Sequence, residues 1–118
     1  MQIYVVDDER GVLDLVVMIL ESHGYRVRST LDPRDLAAWV IIDGGQPRLV
    51  ISDFLMGCIN GGELAIELRA HGYANPFLLL TGESFSHPPA HVDAVLGKPI
   101  KIDDLLTTVA RLLAEKRV

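Results

Sequence analysis

Four short apolar runs, Ile3-Tyr4-Val5-Val6, Leu49-Val50-Ile51-Ser52, Phe77-Leu78-Leu79-Leu80 and Ala94-Val95-Leu96-Gly97, lack the alternation expected of a strand with one wet face. Strands of that kind are covered on both sides, as in a parallel sheet wrapped by helices. A weaker run, Arg26-Val27-Arg28-Ser29, supplies a fifth strand. Between the runs lie helical segments: Gly11 to His23, Pro33 to Ile42, Gly62 to His71 and Ile102 to Arg117. Strand and helix alternate, which sets the class as α/β.

The last segment has the plainest helical period, with Ile102, Leu105, Leu106, Val109, Leu112 and Leu113 on one face. Asp32 before Pro33 reads as an N-cap followed by proline at the first helical position, while Gly44-Gly45 and Gly24 act as stops. Trp39 and the apolar stripe around it are assigned to the core, and Leu15, Val17 and Met18 widen the first helix's apolar face toward either a deep core or a partner. Right-handed crossovers give a flavodoxin-like, doubly wound five-stranded parallel sheet in the order 2-1-3-4-5, with ligands expected where strands 1 and 3 diverge.

Each of the four apolar runs ends in a polar group on that rim: Asp7 and Asp8 after Val6, Asp53 after Ser52, Thr81 after Leu80, Lys98-Pro99 after Gly97. Three carboxylates repel, since one pair at about 4 Å costs roughly 4 kcal/mol at an effective dielectric of 20. A cation is therefore expected. Oxygen donors of this kind suit Mg²⁺ better than a metal that prefers His or Cys.

At 118 residues the chain suits one domain, residues 1–118, large enough for a real core. The formal charge of -5, with the 11 Lys and Arg scattered, argues against a nucleic-acid surface. Cys58 alone permits no internal disulfide and fits a reducing, cytoplasmic setting. No basic segment precedes the first apolar run, and no apolar run approaches the roughly 20 residues that span a bilayer, so neither a secretory signal nor a membrane partner is expected.

The ordered set Asp7-Asp8, Asp53, Thr81 and Lys98, with Glu9 after the acid pair, Met56 and Gly61 after Asp53, and Pro99 after Lys98, resembles the receiver domain of two-component response regulators, the chemotaxis regulator's single receiver included. The resemblance covers the whole chain. It implies a phosphoacceptor, Asp53, that takes a phosphoryl group from the phosphohistidine of a sensor histidine kinase or histidine phosphotransfer protein, then switches conformation toward an output partner. It implies Mg²⁺ held by Asp8, Asp53 and the Leu55 carbonyl, with Asp7 orienting a metal-bound water. Lys98 and Thr81 would meet the phosphoryl oxygens, Gly82 would leave room beside Thr81, Glu83 would influence hydrolytic water, and Pro99 would follow a cis peptide. Such a domain catalyses only its own phosphorylation and dephosphorylation. A docking surface is expected at Arg10 to Leu13 and Pro99-Ile100, with Val12 and Ile100 central.

Blander readings exist for several residues. Asp103-Asp104 simply opens a helix, where carboxylates favour the positive dipole end. His87 and His91 flank Pro88-Pro89, which breaks the helical spacing a metal pair would need. Cys58 has no activating base in its sequence neighbourhood and reads as a plain thiol. A nucleotide-binding α/β domain would carry a glycine-rich turn after strand 1, where this chain has acids. An aspartate-nucleophile phosphatase would repeat an Asp where Leu55 stands, and a degenerate receiver acting only as a binding module would not keep the five residues.

Three departures from the receiver pattern stand out. Gly57 occupies a position where many receivers have proline, which implies a looser loop. Val95 replaces the usual switch aromatic. Only 17 positions separate Thr81 from Lys98, and Ser86-His87-Pro88-Pro89 falls where a crossover helix belongs, so that helix is expected to be short, displaced or missing. The Gly82 to Val92 stretch is then the segment expected to reorder on phosphorylation.

Overall fold

The computed structural model describes residues 2–115. Strands β1 (Gln2–Val6), β2 (Arg26–Thr30), β3 (Leu49–Asp53), β4 (Phe77–Thr81) and β5 (Ala94–Gly97) form a parallel sheet in the order β2-β1-β3-β4-β5. Helices α1 (Arg10–Ser22), α2 (Pro33–Ile41), α3 (Gly61–Ala70) and α4 (Ile102–Ala114) cover it. Ile3, Val5, Leu49, Ile51, Leu78 and Leu80 face α1 and α4, while Tyr4, Val6, Val50, Phe77 and Leu79 face α2 and α3. Two apolar layers sandwich the central strands, which is why those runs cannot alternate.

Local chemistry sets where the helices begin. At α2, the Asp32 carboxylate accepts the Arg34 amide at 2.9 Å, and Pro33 takes the first helical position. Helix α3 starts at Gly61, one residue before the expected Gly62. A reciprocal cap explains it: Asn60 Oδ1 accepts from Glu63 N at 2.8 Å while Glu63 Oε1 accepts from Asn60 N at 2.9 Å. Helix α1 starts at Arg10 rather than Gly11, with no side-chain cap at Glu9. Glu115 is already extended, so α4 stops short of the expected Arg117. Lys116 and Arg117 lie outside the described residues.

Residues 82–93 contain no helix; their backbone closes one turn, from Val92 N to Pro89 O at 3.2 Å. The two prolines have the expected effect. The segment is nevertheless anchored at its far end. Asp93 N donates to Phe77 O at 2.9 Å, and Asp93 Oδ2 accepts from both Phe77 N at 2.8 Å and Arg69 Nη2 at 2.9 Å. Arg69 also donates to the carbonyls of Tyr73, Asn75 and His91, tying the end of α3 to the start of both strands.

Trp39 departs from the expected core position. It is half-buried at the sheet's edge, edge-on to Tyr4 at 5.3 Å between centroids and capped by the Arg28 guanidinium at 3.7 Å. An indole bracketed by a strand arginine gains a cation–π contact that full burial would deny it. On α1, Val17 packs inward, whereas Leu15 and Met18 are exposed, so the partner-facing alternative describes those two. The outer strands differ in character: β2 displays Arg26 and Arg28, and β5 carries no charge.

Candidate functional site

The rim at the carboxyl ends of β1 and β3 gathers the expected acids. Asp7 and Asp53 are 1 % and 5 % exposed, and Asp8 and Glu9 are open to solvent. One carboxylate oxygen from each of the four lies within 4.8 Å of the others. Lys98 Nζ reaches in from the end of β5, 2.9 Å from Asp53 Oδ1 and 3.1 Å from Asp7 Oδ2. A single ammonium faces two buried carboxylates. Backbone donors hold both acids in place, with Glu9 N on Asp7 Oδ1 at 2.9 Å and Phe54 N on Asp53 Oδ1 at 2.8 Å.

Burial pushes the Asp7 carboxyl above its ordinary value, against the pull of the Glu9 amide and Lys98. Burial draws Lys98 down, but its hydrogen bonds to Asp53 and Asp7 outweigh this and leave it raised, hence fully charged at neutral pH. The site thus holds more negative charge than its lysine neutralises. Its donors are all hard carboxylate oxygens, which fit Mg²⁺ and offer nothing to a metal seeking nitrogen or sulfur. Glu9 belongs to this cluster, although its place in the sequence pattern marked it only as a neighbour of the acid pair.

Thr81 is buried at the end of β4, where its Oγ1 accepts from Glu83 N at 2.9 Å. That bond uses an oxygen lone pair and leaves the hydroxyl proton to donate. Lys98 N donates to Thr81 O at 2.8 Å, and the Lys98–Pro99 peptide is cis. Leu55, two residues beyond Asp53, is exposed in the β3–α3 loop. Gly82 has open space around it, and Val95 is half-buried against the α3 face.

Two glycines shape the loop after Asp53. Gly57 has φ +76 within a tight turn closed by Cys58 N to Met56 O at 2.9 Å, a conformation closed to proline, whose φ is fixed near −65°. A different turn, rather than a looser one, answers the missing proline. At Gly61 a Cβ would stand 2.5 Å from both Asp53 O and Leu79 Cδ1. The start of α3 therefore seats directly on the end of β3, and only a residue without a side chain allows it. His87 and His91 are exposed and Cys58 is a free, exposed thiol.

Of the expected docking stretch, Arg10 and Gly11 are exposed, Val12 and Ile100 half-buried, and Leu13 is buried in the core, so Leu13 belongs to packing instead. No helix among the described residues is long and apolar enough to cross a membrane.

The response regulator receiver domain model matches residues 3–110. Response regulator MprA of Mycolicibacterium vanbaalenii is 34% identical over 95% of this chain and 50% of its own length. The chain spans about half the length of the curated relatives it matches. Among solved structures, the receiver domain of the hybrid histidine kinase CckA is 27% identical with a TM-score of 0.82, covering 96% of this chain and 99% of that one. Response regulator TrrA of Thermotoga maritima, solved in complex with Mg²⁺ and BeF, is 30% identical with a TM-score of 0.82, covering 94% and 97%. Sheet order, rim chemistry and a match that runs from the first strand into the last helix agree, and the chain belongs to the response regulator receiver domains.

Proposed function

We propose that residues 1–118 act as one phosphoacceptor domain, in which Asp53 takes a phosphoryl group from the phosphohistidine of a sensor histidine kinase or histidine phosphotransfer protein. The P–N bond to the donor imidazole breaks as a P–O bond to the Asp53 carboxylate forms. The observation that carries this reading is the Lys98 ammonium set between two buried carboxylates, beside two further acids.

Asp7, Asp8 and Asp53 would hold Mg²⁺, with the Leu55 carbonyl and Glu9 beside them. When bound, the ion supplies positive charge against the phosphoryl oxygens. Asp53 is presented as a carboxylate whose plane is fixed by the Phe54 amide and Lys98, so the nucleophile needs no reorganisation before attack. Lys98 follows the charge from carboxylate to phosphoryl group, and Thr81 donates its free proton to an equatorial oxygen. The domain catalyses only this transfer onto itself and the later hydrolysis of the Asp53 acyl phosphate, in which water takes the phosphoryl group, inorganic phosphate leaves and the carboxylate is regenerated. It acts in the cytoplasm, which suits an unpaired Cys58 thiol, and hands its altered surface to an output partner. The donor docks over Arg10, Val12 and Ile100 beside the exposed Leu15 and Met18.

Incubation with acetyl phosphate and Mg²⁺ tests this. A stoichiometric mass gain of one phosphoryl group on Asp53, absent in Asp53→Asn, is the expected outcome. Sustained phosphate release without that adduct, or an adduct that survives in the variant, would overturn it.

A further inference from the structure

The 82–93 segment is joined to the acceptor by a short chain of contacts. Thr81 Oγ1 accepts from Glu83 N at 2.9 Å. Two residues later the Phe85 ring meets the Phe54 ring edge to face, with centroids 5.1 Å apart and planes at 83°. Phe54 N in turn donates to Asp53 Oδ1 at 2.8 Å and to Leu80 O at 2.9 Å. Both rings are half-buried against the α2–α3 layer. The far end of the segment is clamped through Asp93 and Arg69, so the Phe85 end is where movement concentrates. Val95, aliphatic and half-buried on the neighbouring strand, offers no ring that could swing.

We infer that Phe85 is a positioning residue for Asp53: its ring, seated on Phe54, ties the conformation of residues 82–93 to the occupancy of the acceptor. The inference rests on the phosphoacceptor reading above. Phe54 is held on its backbone side by Leu80 and by Gly61, whose N donates to Phe54 O at 2.7 Å. On its side-chain side the ring contact is with Phe85. When donation to a phosphoryl oxygen draws the Thr81 side chain round its χ1, Oγ1 itself shifts and the acceptor of the Glu83 amide moves with it. No helix follows to absorb the shift, so the displacement reaches Phe85 within two residues. Linkage makes the coupling reciprocal: whatever seats or unseats Phe85 alters how readily Asp53 is occupied. An edge-to-face pair is worth about two- to tenfold in such an equilibrium.

The experiment compares wild type, Phe85→Ala and Phe85→Tyr. Acetyl phosphate with Mg²⁺ gives the rate of mass gain on Asp53, and hydrogen exchange with and without beryllofluoride gives the response of residues 82–93. In wild type, beryllofluoride should change exchange across 82–93. Phe85→Ala should slow phosphorylation about two- to tenfold, speed exchange of the Phe54 amide and remove the response of 82–93 to beryllofluoride. Phe85→Tyr, which keeps the ring, should restore all three. A merely structural role would loosen the segment without touching the phosphorylation rate. Phe85→Ala that phosphorylates and responds like wild type overturns the inference and leaves the acceptor reading intact. No adduct or beryllofluoride response in wild type overturns both.

Discussion

Asp7 shows what it costs to bury a carboxylate beside a second acid. It is almost wholly buried, it shares Lys98 with Asp53, and burial has pushed its carboxyl upward. The folded state therefore keeps the proton to higher pH than the unfolded chain, whose ordinary value is 3.8. The sign follows: the metal-free domain loses stability as pH rises from there through the folded-state value. Asp7→Asn should raise metal-free stability at neutral pH and flatten that decline, while weakening Mg²⁺ binding. Urea unfolding with a chelator, repeated across pH, measures both. Gly61 acts in the opposite sense. Gly61→Ala should cost about 1–3 kcal/mol in urea unfolding, because a methyl must displace the Asp53 carbonyl or Leu79, and it should slow phosphorylation by shifting the acceptor. Wild-type stability in that variant would show that α3 can slide on β3. Gly61 was visible in the sequence through its spacing from Asp53, but its reason lies in a contact that spacing cannot display.

Among the elements, strands were the most legible because β1, β3 and β4 are buried on both faces and their apolar residues have no polar alternative. Asp32-Pro33 was equally plain, since cap and first helical residue are adjacent in sequence. Asp32→Ala should therefore lower stability by about 1 kcal/mol, seen as a lower midpoint in thermal unfolding, with the surface pair to Arg34 adding little. The Asn60 to Glu63 box carries the same information three residues apart, and it sets the start of α3 one residue before the expected Gly62. The missing crossover helix was legible from two consecutive prolines. What replaces it was not: Phe85 on Phe54 and Asp93 on Arg69 join residues far apart in the chain, and neither pair leaves a periodic or local signature.

At the scale of the whole molecule, a parallel sheet brings the carboxyl ends of its strands to one rim, so the order of Asp7, Asp8, Asp53, Thr81 and Lys98 in the sequence is enough to group them. Which hydrogen bonds they make needed the structure. A ligand that binds only the folded rim stabilises the entire fold, by about 2.7 kcal/mol at a hundredfold excess over its Kd. Mg²⁺ should accordingly raise the unfolding midpoint of the wild type by several degrees, about 4 °C or more per kcal/mol. Asp8→Asn should lose most of that rise, and an equal rise in the variant would place the ion elsewhere. The uncharged outer strand has a different consequence. Asp93 and Lys98 flank β5 on either side, where charged residues would ordinarily act as gatekeepers against pairing with another chain. Both are turned inward, one toward Arg69 and one toward the acids. This edge is thus defended against aggregation by brevity, four residues long, and not by repulsion.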